Sequence, residues 1–135
     1  MKKSSVNYLM ALLCLVILGG ISAYSSTQIQ KSKQQVLRHV VAFQFKEDIT
    51  EERRAQAIKD FLDLKDEIPE IIKFEGGENI SVEGLDKGLT HCFILTFESA
   101  AARDAYLPHP AHIRVAEKNK PLMSNLVVLD CWGED

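Results

Sequence analysis

Near the end of the chain, the eight residues AYLPHPAH, Ala105 to His112, bring together a tyrosine, two prolines and two of the four histidines of the whole protein. An imidazole titrates near neutrality and can act as a base, and a phenol can donate a hydrogen bond to a developing oxyanion. Tyr106, His109 and His112 are therefore candidate site residues of this stretch. The remaining histidines, His39 and His91, each open an apolar run, HVVAFQF and HCFILTF. Four neutral imidazoles are also a donor set for zinc or copper, and His109 and His112 are close enough in sequence to share an ion. No acidic or thiolate ligand is drawn in with them, so neither a metal nor a cofactor is expected. A third reading is a buried hydrogen-bonding cluster without chemistry.

These residues must be positioned by the elements around them. The run His39 to Phe45 is β-branched and aromatic, with His39, Val41, Phe43 and Phe45 on one face, and predicts a strand. Asp48 stands three residues before Glu51, as in a capping box. Ala55, Ile58, Phe61, Leu62 and Ile68 then follow at helical spacing up to Pro69. A short strand is predicted around Ile72 to Ser81, where Gly76 and Gly77 suggest a bulge or a close backbone approach. After the turn Leu85 to Thr90 the order repeats: a strand from Thr90 to Phe97, a helix capped by Ser99, and a closing strand from Leu126 to Trp132. Pro108 must break the second helix, and Pro110 suits the first turn of a new segment running toward Lys118. Tyr106, His109 and His112 would then project from a rigid corner.

Two β-α-β units make an α+β, ferredoxin-like β-α-β-β-α-β sandwich with strand order 4-1-3-2 and both helices on one face. The first and third strands are read as parallel neighbours, so that His39 and His91 share one end of the sheet and face the helices. A pocket between sheet and helices would be lined by His39, Phe43, His91, Phe93 and His109, beside Tyr106 and His112. The opposite face carries Val40, Ala42, Cys92 and Ile94, too apolar to stay wet, and predicts a homodimer through the open sheet. Cys92 and Cys131 would lie ~10 Å apart, one on each side of the first strand, beyond disulfide reach.

With 135 residues, 46% of them apolar, the chain has room for one cored domain. A formal charge of -3 and the lack of a basic cluster beyond Lys31 to Lys33 argue against nucleic acid. At the N-terminus, Lys2 and Lys3 precede the apolar run Tyr8 to Ile21 and then small residues around Ser25, the pattern of a secretory signal over residues 1–25. An uncleaved membrane anchor is the alternative, although the run is shorter than the ~20 residues of a span. Residues 26–35 read as a polar linker, 36–132 as the domain and 133–135 as a tail. The expected location is periplasmic or extracellular.

Four stretches, LRHVVAFQFK (37–46), LKDEIPEI (64–71), KGLTHCFILTFES (87–99) and YLPHPAH (106–112), give the sequence a resemblance to the stress-responsive A/B barrel (Dabb) domain family. The resemblance implies a ferredoxin-like subunit and a dimer whose sheets close into an α+β barrel. It also implies a tyrosine–histidine acid/base pair at Tyr106 and His112, with strand histidines at His39 and His91, as in polyketide cyclases of plants, which close a chain by an aldol reaction. Export would separate the domain from coenzyme A thioesters. The expectation from sequence is therefore a module that binds a small apolar or aromatic molecule, with cyclase-type lyase chemistry as the alternative.

Overall fold

A computed structural model describes residues 34–135; the leader read over 1–25 and the linker up to residue 33 lie outside them. The alternating run from Gln35 to Phe45 forms strand β1. Helix α1 (Glu51–Leu62) is capped by Thr50, whose hydroxyl accepts the Arg53 amide, and not by Asp48 as the capping box suggested. The Ile49 amide closes a turn onto the Lys46 carbonyl, and Arg54 reaches back to the Ile49 carbonyl at 2.9 Å, so Asp48 sits in that turn and the helix starts later. The helix also stops early. The chain bends at Asp63 into a four-residue helix α2 (Leu64–Glu67), which brings Leu64, Ile68 and Ile71 fully into the core.

Strand β2 (Lys73–Glu78) follows. Gly76 has φ +134°, and a Cβ there would run into the Cys92 carbonyl oxygen, so the close backbone approach foreseen for the glycines is real at this position. Strand β3 (His91–Phe97), helices α3 (Ala100–Tyr106) and α4 (Pro110–Asn119), a 3₁₀ turn (Lys120–Leu122) and strand β4 (Met123–Glu134) complete the order. Gln35 pairs with Glu134, so the first and last strands run slightly past the 36–132 limits read from sequence.

The sheet order is β2-β3-β1-β4, the order expected, but every pairing is antiparallel, including β1 with β3. The parallel reading of the two central strands was wrong, for a topological reason. The crossover through α1 and α2 makes β1 and β2 run the same way, and β3, turning back beside β2, must oppose both. His91 is therefore paired with Phe43, whereas His39 is paired with Leu95. The two strand histidines share a face but stand about 13 Å apart along the sheet.

That face carries Val41, Phe43, Phe93 and Leu95, which pack with Ala57, Leu64, Tyr106 and Val115 of the helices into one core. On the other face Val40, Ala42, Cys92 and Ile94 are only half-buried, and Val127 and Leu129 of β4 are exposed. Cys92 and Cys131 are both free thiols.

Candidate functional site

The corner at Leu107–Pro110 is built by its own side chains. Ser99 caps α3 by accepting the Ala102 amide, and His109 caps α4: its Nδ1 accepts the Ala111 amide at 3.2 Å, with Pro110 in the first turn. One turn on, the Nδ1–H of His112 donates to the Leu107 carbonyl at 2.8 Å. That bond spans the break and leaves Nε2 as the second nitrogen of the ring. Tyr106, the last residue of α3, turns inward and is 1% exposed, with its ring 4.3 Å from that of His112.

From the sheet side, His39 meets the same tyrosine with ring centroids 5.8 Å apart. Its Nδ1–H donates to Asp130 Oδ1 at 2.7 Å, and the other carboxylate oxygen of Asp130 holds the Arg103 guanidinium of α3. Asp130 lies directly across β1/β4 from His39, so the register itself makes the pair. Burial, and secondarily the positive charge of Arg103, lower the His39 pKa below its ordinary value. The imidazole is thus neutral at pH 7, with Nδ1 carrying the proton and Nε2 left as a base. Burial also raises the Tyr106 pKa, which keeps the phenol protonated as a donor.

Between these groups lies a cavity of about 120 Å³, lined by His39, Tyr106 and His112, by Asn119 and Lys120, and by apolar side chains that include Val41, Phe61 and Val128. Among the described residues nothing hydrogen-bonds the Tyr106 hydroxyl. A base, a protonated phenol and a second imidazole thus converge on a space of the order that admits one six-membered ring.

Residues 37–132 match the family model described as the stress responsive A/B barrel domain. The chain belongs to that family. Among its relatives is the olivetolic acid cyclase of Cannabis sativa, 27% identical over 94 residues that make up 70% of this chain and 93% of the cyclase. Hydroxynitrile lyase from Passiflora edulis superposes with a TM-score of 0.70 at 25% identity, covering 74% of this chain and 94% of the lyase. A protein of unknown function from Jannaschia sp. CCS1, described as dimeric and ferredoxin-like, gives a TM-score of 0.63 at 27% identity, covering 71% and 97%. The A/B barrel domain thus has relatives that are a cyclase and a lyase.

Within this A/B barrel domain only part of the expected constellation comes together. His39, Tyr106 and His112 line the cavity. His91 does not: it stacks on Phe43 at 5.3 Å, its Nδ1 lies 3.0 Å from the Thr90 hydroxyl, and it borders a separate polar cleft with Glu51 and Arg54. Phe43 and Phe93 are core residues wedged against Phe61, and His109 is spent on its helix cap, so none of the three reaches the cavity. Among the described residues no group of three or more His, Cys, Asp or Glu side chains is placed to hold a metal. Asp130 and Arg103 were not foreseen. An acid inside the apolar run LVVLDCW, on the face shared with Leu126 and Val128, was the one available signal.

Proposed function

We propose that this A/B barrel domain works as a homodimer closed through its open sheet face, and that each subunit takes a small apolar or aromatic carbonyl compound into the His39–Tyr106–His112 cavity and removes a proton beside the carbonyl. His39 Nε2 takes that proton, the C–H electron pair passes to the carbonyl oxygen as an enolate, and the Tyr106 hydroxyl hydrogen-bonds the new oxyanion. Return of the proton restores the compound. Attack of the enolate on a second carbonyl would make the reaction an aldol closure.

The observation that carries this reading is the His39–Asp130 pair. A pocket that only bound an apolar molecule has no need of an imidazole whose tautomer is fixed by a carboxylate and whose burial keeps it neutral. The cyclase and lyase names among the relatives point the same way. The dimer is supported by the apolar open face and by neighbours described as dimeric. We also propose that the segment ahead of the domain directs export, which intact mass of the mature chain would check.

The decisive experiment is proton exchange, which requires no knowledge of the natural substrate. A panel of aryl and alkyl methyl ketones in D₂O is followed by NMR for deuterium uptake next to the carbonyl. Exchange above buffer that falls by about 10²-fold or more in His39→Ala, and also falls in Tyr106→Phe, supports the reading. Ketones that bind, seen by chemical-shift changes around Val41 and Val128, yet exchange no faster than in buffer, would make the site a binding pocket.

A further inference from the structure

Two sets of apolar side chains stand out in water, one at each edge of the sheet. The first is the β2–β3 loop, where Ile80 is 88%, Val82 98% and Leu85 70% exposed. The second is β4, an edge strand among the described residues, with Leu126, Val127, Val128 and Leu129 exposed along it. Contiguous exposed aliphatic groups mark interaction surfaces, and an apolar edge strand invites a partner.

The loop is held in shape. The Asn79 amide bonds the Thr90 carbonyl at 2.8 Å, the Asn79 side chain bonds the Leu89 carbonyl, Asp86 accepts the Gly88 amide, and the Thr90 amide ties the loop to the Phe43 carbonyl of β1. It therefore displays its three aliphatic side chains from a fixed frame, which lowers the entropy lost on docking. Its base shares a cleft with Ala42 and Cys92 of the open face, so it is continuous with the surface assigned to the dimer.

We propose that the β2–β3 loop of one subunit lies along β4 of its partner and closes the mouth of the partner's His39 cavity; this rests on the homodimer proposed above. The geometry follows from symmetry. A two-fold axis running between the open faces, parallel to the strands, places the β2–β3 edge of one copy over the β4 edge of the other and preserves the level along the strands. The loop emerges at the level of Phe43, and the residue of β4 paired with Phe43 is Leu126. The two apolar sets thus meet at the same height, each satisfying the other twice in the dimer. Val127 and Leu129 point to the open face, whereas Leu126 and Val128 line the cavity from the helix side. A loop folded around that edge covers both, and each cavity is completed by the other subunit.

The test places a photoreactive benzoyl-phenylalanine at Val82 in a dimer of isotopically labelled and unlabelled full-length chains. The expected product is an adduct between chains, with attachment within Leu126–Leu129. A second variant, Ile80→Ser/Val82→Ser/Leu85→Ser, should raise the dimer dissociation constant by at least about 100-fold, since burying one such side chain is worth more than tenfold. Subunit melting at low concentration should be unchanged, because the three side chains are already solvent-exposed in the subunit. Adducts confined to one chain, or attached away from β4, overturn the loop assignment while leaving the dimer standing, as does a triple variant that dimerises like wild type. A wild-type protein that stays monomeric at about 10 μM overturns both. Loop-dependent sedimentation with phosphatidylcholine–phosphatidylglycerol vesicles would assign the loop to a membrane and refute the proposal.

Discussion

Replacing Asp130 by Asn keeps the shape of the side chain while removing the charge that fixes His39. The bond at stake is 2.7 Å long, between an imidazole that is 7% exposed and a carboxylate that is 31% exposed. A hydrogen bond to a charged group is worth about 1.5–3 kcal/mol and one between neutral groups about 0.5–1.5, so the substitution forfeits about 1 kcal/mol there. The part-exposed Arg103 keeps its ion pair with Asp104 and loses the one with Asp130, which adds at most about 1 kcal/mol. A total of about 1–2 kcal/mol should lower Tm by roughly 5–15 °C for a domain of this size. The effect on chemistry should be larger. An asparagine can offer its NH₂ as readily as its oxygen, and when it does so the proton moves to Nε2, which then cannot act as a base. Arg103, which then keeps only Asp104 as a counter-charge, also makes the imidazole a weaker base. Ketone proton exchange should therefore fall by about 10- to 10³-fold, within the range assigned to a positioned general base. Melting by circular dichroism and exchange by NMR are read on the same samples. If Asp130→Asn exchanges within threefold of wild type while His39→Ala is dead, the carboxylate has no part in setting the tautomer.

Three other outcomes follow from particular contacts. His39 and His91 both have lowered pKa values, chiefly through burial, so the unfolded chain takes up their protons first. Stability should be level above about pH 6.5 and fall as the pH drops below it, by up to about 1.4 kcal/mol per pH unit for His39 and by less for the more exposed His91, and His39→Phe should flatten part of that slope in urea titrations. Gly76→Ala should destabilise by about 3 kcal/mol, because its φ of +134° is strained for any side chain and the new Cβ meets the Cys92 carbonyl; an unchanged urea midpoint contradicts this. Ile94→Asp should place two like charges across the proposed interface and give monomers by sedimentation at about 10 μM, whereas a dimer as tight as wild type would move the interface elsewhere.

Most of the fold was legible because period and punctuation agree: alternation in β1 and β3, Ser99 as a cap, and Pro108 and Pro110 around a helix break. What local pattern does not contain is pairing direction. His39 and His91 stand alike in sequence, each opening an apolar run, yet antiparallel pairing sends them to different places. The same long-range register makes Asp130 the partner of His39, 91 positions away, and no local spacing announces it. Tyr106 and His112 were readable because the helix break that aims them is written within a few residues of both. Thr50 displaced Asp48 as the cap because a side chain from the next turn, Arg54, holds the preceding carbonyls.

Strand β1 lies in the middle of the sheet, and its side chains alternate between the cavity and the open face: His39 and Val41 on one side, Val40 and Ala42 on the other. The proposed chemistry and the proposed assembly thus fall on neighbouring letters of one segment without sharing any of them. A change at position 41 can reshape the pocket while the contact surface stays as it was, and a change at 40 can retune association while the base stays in place. If the dimer closes as proposed, such a strand would let its descendants explore new small molecules without first having to reinvent the dimer, provided that no insertion shifts the frame by a single residue, which would exchange the two roles at once.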